Sequence, residues 1–395
     1  MRVYLDHNAT TPVDPAVLDA MQPFFSDAYG NASSIHSAGQ RARAAVDAAR
    51  DSVARLIGAK PSEIVFTSGG TEADNLAVLG LIESARSASS ARPHLITIAI
   101  EHHAVLNAAQ YAAKKGIDVT FVSVSASGVV NAEKVRAALR PETFLISVMH
   151  ANNELGTIQP IEEIARVAAE ADVYFHADAV QSAGKLPLNV KNLGVDLLTL
   201  SAHKIYGPKG VGALCVRAGT PIAPQMFGGH HERDRRPGTE NVPAIVGFGR
   251  AAELAAKHLA SDDESTRMAQ LRDKFEHEIL ASVPGTRVNG DPHRRVANTT
   301  NLSFDGIAGE AFVIALDLLG ISVSTGAACS SGAIEPSHVL RAIGLTDDQA
   351  ESSIRFSLGR HTTAAEIDYV IATVKATVER MRNVSPAHTT PASLR

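Results

Sequence analysis

Several short segments of this 395-residue chain place reactive or anion-binding groups where backbone pattern can present them. The run TSGGTEADN, at 67–75, follows the β-rich stretch EIVFT and opens a helical pattern. Its glycines, Gly70 among them, let backbone N–H groups at a helix start approach an anion, and Thr71 adds a hydroxyl, so the segment can take a phosphate. A plain glycine-rich turn reads the same way, and the run is neither a Walker A motif nor a dinucleotide fingerprint. Further on, VYFHADAVQ carries Asp178, and the next strand-like run, LLTLSAHKIYGPKG, carries Ser201, His203 and Lys204 at its end. If those strands are neighbours, an aspartate and a lysine meet at the carboxyl edge of one sheet, where open α/β sheets place ligands. Such a pair suits pyridoxal phosphate: the amine forms a Schiff base with the aldehyde, and the carboxylate keeps the pyridine nitrogen protonated so that the ring acts as an electron sink. A surface salt bridge is the competing reading. Against it, apolar runs precede both residues, and an idle charge at a buried strand end is costly. Arg355, alternating with apolar residues in SIRFSLGR, offers a fixed fork for the carboxylate of an amino acid, or equally for a structural ion pair.

The two cysteines differ in setting. Cys215 lies in the apolar run VGALCVR and reads as a buried structural thiol. Cys329, in SVSTGAACSSGAIEPS, is surrounded by Gly, Ala and Ser, which give an accessible loop with little apolar bulk to bury a thiol, so it is a candidate reactive group. A disulfide framework or a cysteine-rich zinc site is not expected from two cysteines. The sixteen histidines include the adjacent pairs His102-His103 and His230-His231, but no HxxxH or HxxEH spacing supports a metal, and none is expected. The run GFGRAA at 247–252 fits G-x-G-x-x-A, yet it continues into a helical pattern with no β-rich stretch before it, which argues against a dinucleotide site.

These groups need a scaffold, and composition bounds it. With 45% hydrophobic residues the chain can bury a large core, and its formal net charge of −5, with signs mixed throughout, favours neither nucleic acid nor an anionic membrane as partner. No basic n-region with an apolar h-region opens it and no apolar run approaches a bilayer span, so a cytoplasmic protein is expected. From about residue 60 to 215, β-rich runs alternate with helical ones, which predicts βαβ units and a mostly parallel sheet covered by helices on both faces. HSAGQRARAAVDAARDSVARLIG upstream reads as one long helix with a glycine at its stop. Beyond 240, amphipathic helices, the strand-like NTTNLSF and SIRFSLGR, a helix from GEAFVIALDLLG and a final helix through TAAEIDYVIATVKATVERMR suggest a separate, smaller α+β domain. The expected division is 15–255 for the large domain, with 1–14 and 256–395 forming the small one that carries the Cys329 loop.

Taken in order, YLDHNATT, GNASSIHS, TSGGTEADN, EHHAVL, ANNELGT, HADAVQ, SAHKIYGPKG, GGHHERDRRPGTEN, GAACSSGAIEPSHVLRA and IRFSLGR resemble cysteine desulfurases of the NifS/IscS type, within the class-V aminotransferase, fold-type I group of pyridoxal-phosphate enzymes. The likeness spans nearly the whole chain. It implies conversion of L-cysteine to L-alanine, with the sulfur passed to Cys329 as a persulfide for iron–sulfur cluster assembly or another sulfur-requiring pathway. It also implies that Lys204 carries the cofactor, Asp178 pairs with the pyridinium nitrogen, Gln181 bonds the ring hydroxyl, and His102 stacks on the ring and moves protons. Gly70, Thr71, Ser201 and His203 would take the phosphate, with Thr239 reaching it from the other subunit of a homodimer. Arg355, helped by Asn153, would take the substrate carboxylate, and a sulfur-acceptor protein such as an iron–sulfur scaffold would be the partner.

The Cys329 loop looks like the longer small-residue loop of this group and unlike the RxGHHCA-type segment of SufS-like enzymes. His7 stands where the family often has Asn. The alternatives are a selenocysteine lyase or another aminotransferase-like enzyme of the same fold, or a noncatalytic scaffold. Retention of Lys204, Asp178, His102 and Cys329 together argues against the last.

Overall fold

The β-rich runs become strands in the order the alternation predicts. After a two-residue strand, Val3–Tyr4 (β1), come Ile64–Thr67 (β2), His94–Ile98 (β3), Asp118–Val122 (β4), Thr143–Ser147 (β5), Tyr174–Asp178 (β6), Leu197–Ser201 (β7) and Gly212–Val216 (β8). In this computed structural model, which describes residues 1–88, 93–261, 263–325 and 336–384, β2 to β8 form one seven-stranded sheet in the order β2-β8-β7-β6-β5-β3-β4. Every pairing is parallel except the two that β8 makes. Only residues 202–211 separate β7 from β8, too few for the helical crossover that a parallel partner needs, so the chain doubles back.

Strand side chains alternate between two apolar cores, as a sheet buried on both faces requires. Ile96, Ile146 and Leu198 face one core, with the helices Ser37–Leu56 and Val242–Leu259; Leu95, Leu145 and Leu197 face the other, with Gly70–Ala88 and His103–Lys114. The GFGRAA run lies inside the helix Val242–Leu259, and its second glycine serves packing: a Cβ at Gly249 would come within 2.5 Å of the Ala49 Cα on the facing helix.

A second sheet is antiparallel throughout. Thr286–Asn289 (β9), Thr299–Phe304 (β10), Ile321–Ser322 (β11), Ser324–Thr325 (β12) and Ser353–Ser357 (β13) follow, with order β12-β13-β10-β9, while β11 pairs in parallel with β1. Its separate core holds Leu5, Phe275, Phe304, Phe312 and Phe356, covered by the helices Asp263–Ser282, Gly309–Leu318 and Ala364–Val384. Burying one such phenylalanine contributes about 1.5–3 kcal/mol.

The N-terminal strap joins the two bodies. The His7 N–H donates to the Ser357 carbonyl (3.1 Å) and that of Asn8 to the Ser357 hydroxyl (2.9 Å); a few residues later the N–H groups of Thr11 and Asp14 donate to the carbonyls of His203 and Tyr206, both at 3.0 Å. On the other side of the site, β12 belongs to the small sheet, yet Val339 and Leu340 of the helix His338–Ala342 pack into the large-sheet core.

Candidate active site

A cavity of about 390 Å³ opens at the carboxyl ends of β6 and β7, between the large sheet, the strap and β13. Its floor begins at the helix Gly70–Ala88, whose first N–H groups have no carbonyl one turn earlier to bond. A Cβ at Gly70 would lie 2.9 Å from Val180 Cγ2 and 3.6 Å from Ser201 Cβ, so only glycine keeps this helix end open. Ser201 Oγ is buried with no hydrogen-bond partner, and Thr71 and His203 line the same corner. His203 Nδ1 sits 3.1 Å from Thr10 Oγ1, and burial, then the nearby Lys204 and Lys209, push this imidazole down to about 4, leaving it neutral. Backbone donors, an unclaimed hydroxyl and a helix N-terminus together form an anion cradle.

Asp178 ends β6 and accepts the Val180 N–H at 2.8 Å. Burial raises its pKa, opposed by that N–H and by Lys204. Lys204 closes the short 3-10 turn after β7, where it makes no ion pair: Nζ donates to the Asn8 carbonyl and, at 2.7 Å, to that of Ala9. Burial and the Arg355 charge push the amine down to about 8, against the pull of Asp6 and Asp178, so a sizeable fraction is unprotonated and nucleophilic near neutral pH. Tyr206, two residues on, holds a left-handed backbone (φ +64°) that a tyrosine rarely adopts. It is fixed there by the Thr11 hydroxyl on its N–H (2.9 Å), the Arg360 N–H on its own hydroxyl (2.7 Å) and the Arg360 guanidinium 4.0 Å from its ring centroid.

On the facing wall, Arg355 Nη2 bonds Asp6 at 2.6 Å and Nη1 the Asn153 carbonyl at 3.0 Å, while its buried Nε is unpartnered. The structure shows the ion pair, and it places Arg355 and Asn153 together on the cavity wall. His102 caps the helix His103–Lys114, its Nδ1 accepting the Ala104 N–H at 3.2 Å. That bond assigns the proton of the neutral ring to Nε2, and burial, with Lys204, His103 and His338 adding to it, pushes the imidazole down to about 4. Holding Nδ1 in the helix cap, the ring keeps its one proton at Nε2 and cannot accept a second without leaving the cap.

Gln181 completes the set of expected residues that the structure brings together. Thr239 is not among them: it is exposed and away from the cavity of its own chain. Cys329 lies outside the described residues. Cys215 is buried on β8, as its apolar run predicts, and burial pushes its thiol up to about 12. Reading by motif missed the ionisable groups behind the floor. Asp74, from the same TSGGTEADN run, is buried 3.6 Å from His176 Nε2, and burial together with Asp178 raises its pKa well above the usual carboxylate range. His176, bonded to Ser147 (2.8 Å) and Thr199 (3.0 Å), is pushed down to about 3 by burial. Glu101, beside His102 in EHHAVL, accepts the Met149 N–H at 2.7 Å, and burial raises it too. Burial raises the pKa of both these carboxyls, and Asp178 is the one of the three whose rise is opposed by a cation, Lys204.

These residues fit pyridoxal phosphate. The open helix end and unpartnered Ser201 hydroxyl match its phosphate, Asp178 its ring nitrogen, the Lys204 amine its aldehyde, and the spare Arg355 donor a substrate carboxylate. Among the described residues no group of three or more His, Cys, Asp or Glu side chains could hold a metal ion.

Comparison with known proteins gives a consistent answer. The aminotransferase class-V family model matches residues 3–370. The cysteine desulfurase IscS of Dictyoglomus turgidum is 48% identical over 384 residues, covering 97% of this chain and 96% of that protein. The cysteine desulfurase IscS of Anaeromyxobacter sp. (strain Fw109-5) is 50% identical over 389 residues, covering 98% and 95%. Of solved structures, a NifS-like protein superposes with a TM-score of 0.89 at 38% identity, covering 96% of this chain and 100% of the other, and SspA in complex with cysteine superposes with 0.79 at 38% identity, covering 91% and 100%.

Proposed function

This chain belongs to the class-V aminotransferase family and is a pyridoxal-phosphate-dependent cysteine desulfurase of fold-type I, and from that premise we propose the parts its own residues play. The observation that carries the assignment of roles is the meeting of Lys204 and Asp178 at adjacent strand ends in a cavity whose opposite wall offers Arg355. Gly70, Thr71, Ser201 and His203 take the cofactor phosphate, Asp178 the ring nitrogen and Gln181 the ring oxygen, while His102 lies on the ring face. Bound there, pyridoxal phosphate supplies an electron sink that lets the α-proton of L-cysteine leave and weakens its Cβ–S bond.

Lys204 would hold the cofactor through Nζ, and the same Nζ, an amine pushed down to about 8, is the group placed to take the α-proton of the substrate. Arg355, with Asn153 beside it, grips the substrate carboxylate and so fixes which bonds face Lys204. The Cys329 thiolate attacks the substrate sulfur. A new S–S bond forms as the Cβ–S bond breaks, and the atoms balance: L-cysteine and the enzyme thiol give L-alanine and the enzyme persulfide. His102 keeps its proton at Nε2 as a hydrogen-bond donor toward the site.

The persulfide passes by thiol exchange to an acceptor protein, an iron–sulfur scaffold being the partner we favour. The active form is a homodimer in which Thr239 reaches the phosphate of the partner's site. Its exposure supports this, as do the exposed Tyr29, Ile35, Met226 and Phe227. A cytoplasmic setting suits a chain with only two cysteines, of which Cys215 is a free buried thiol, and with no described helix long and apolar enough to cross a membrane. The large domain spans 15–255, and 1–14 with 256–395 make the small one.

Alanine and sulfide followed together, with L-cysteine and a thiol reductant, test the mechanism. Equal amounts in the wild type, both lost in Cys329→Ala, are expected; activity that survives the substitution would overturn the role given to Cys329.

A further inference from the structure

A second lysine stands behind the cofactor site, four residues after Gln181 on the turn that leaves β6. Gly184, with φ +72° and no room for a Cβ (2.7 Å from Ile205 Cγ2), lets that turn fold Lys185 back under the site. Lys185 Nζ donates to Gln181 Oε1 at 2.9 Å and to Asn8 Oδ1 at 3.1 Å. Burial pushes this amine down to about 7, with Lys204 and Arg355 adding to the effect.

An ammonium group donates and never accepts, so whatever faces it must be an oxygen. The amide of Asn8 is fixed on all sides: its Oδ1 also accepts from Asn298 Nδ2 (3.1 Å), and its Nδ2 donates to Thr299 Oγ1 (2.9 Å) and the Asn153 carbonyl (3.1 Å). Gln181 has only two such constraints, its Oε1 on Lys185 and one N–H on the Asn8 carbonyl at 3.0 Å. Among the described residues no partner takes the second N–H of Gln181, which lines the cavity. We propose that Lys185 is a positioning residue of this enzyme: it holds the Gln181 amide with oxygen inward and nitrogen outward, so that Gln181 meets the ring oxygen of the cofactor as a donor, and it adds a positive charge behind that contact. The proposal rests on the reading of Gln181 as the partner of the ring oxygen.

Below about pH 7, where Lys185 carries its charge, a donor and a cation beside the ring oxygen both oppose protonation of the bound chromophore; above it the donor alone does. The other charged or titratable groups around Lys185 are Lys204 after β7, Arg355 on β13, Asp178 on β6, Asp6 and His7 on the strap, and Glu264 and Arg360, which line a second small cavity with it.

The test is a pH titration of the visible absorbance of purified holoenzyme, from about pH 6 to about pH 10, in wild type, Lys185→Met, Lys185→Arg, Gln181→Leu and the Lys185→Met/Gln181→Leu double variant. Lys185→Met should raise the midpoint by about one unit, a tenfold gain in proton affinity. Lys185→Arg, still a cationic donor, should restore most of it. The double variant should shift less than the sum of the singles, because the two side chains act through one contact. Should Lys185→Met fail to fold, Lys185→Gln fits the same space, no longer forces the amide orientation, and should shift in the same direction. A shift in Gln181→Leu with none in Lys185→Met or Lys185→Gln overturns the proposal and leaves the reading of Gln181 standing. No shift in any variant overturns both.

Discussion

The wall built from β6, β7 and the helix at Gly70 differs from the wall built from β13 and the N-terminal strap in what its polar groups are left free to do. On the first, Ser201 Oγ is unclaimed, Gly70 leaves open space and Lys204 touches only carbonyl oxygens. On the second, Arg355 is tied to Asp6 and Asn153, and Asn8 spends every hydrogen bond its amide can make. Strand ends are set by a sheet ladder a few residues away, so their side chains can stay unsatisfied and wait for a ligand. The strap and β13 lie some 350 residues apart in sequence and must be held to each other by the same polar groups that line the site. One wall is therefore poised for chemistry, and the other trades some of its binding capacity for cohesion.

That contrast predicts which kinetic constant each wall controls. Lys204→Ala should have the largest effect, lowering alanine production by about 10³-fold or more, since it removes both the covalent attachment and the proton acceptor. Asp178→Asn should lower kcat by about 10²-fold through loss of a preorganised charge, whereas Asp74→Asn, at a carboxyl whose pKa burial and Asp178 raise and which faces no cation, should leave kcat within about threefold; steady-state rates of the pair give the comparison directly. Arg355→Ala should instead raise KM for L-cysteine about 10- to 100-fold, as expected for losing a charge-assisted hydrogen bond, with a smaller change in kcat. If Arg355→Ala lowers kcat as much as Asp178→Asn, the division between the walls fails. Gly70→Ala should weaken cofactor retention about tenfold, measured by equilibrium dialysis, because its Cβ crowds the cradle against Val180. The first wall also carries a pH dependence. Depression of the Lys204 amine to about 8 means that its unprotonated fraction grows as pH rises through that value, so the rate at which apoprotein takes up cofactor should climb between about pH 6 and 8 and level off above about 9. An ordinary lysine would keep the rate climbing beyond pH 10.

The first wall was far easier to read from sequence than the second. Asp178, Ser201 and Lys204 follow apolar runs of strand length, and a parallel sheet converts such runs into a row of side chains at one edge. The reversal at β8 was also encoded, in the short interval after Lys204 that leaves no room for a crossover, but its run VGALCVR has the same composition as its parallel neighbours. Pairing of β1 with β11 has no local signature, since a two-residue strand becomes one only when its partner is present. The buried Asp74, Glu101 and Lys185 escaped for a different reason. Charged residues read as solvent-facing unless something shows that the fold covers them, and what covers them comes from other segments of the chain. Arg355 was left open between ion pair and carboxylate clamp, and the structure shows the ion pair on the cavity wall.

The strap has a consequence for how the protein is made. Residues 6–11 are made some 290 to 350 residues before their partners, since Asn8 is held by Ser357 and Thr299, and Asp6 by Arg355. A nascent chain can lay down the large sheet and its Lys204 turn well before those partners, with Gln181 on the Asn8 carbonyl and His203 on Thr11 holding the strap to it, but the Asn8 amide and Asp6 gain Thr299 and Arg355 only when β10 and β13 arrive. The strap side of the reactive centre is thus completed only once β13 is made.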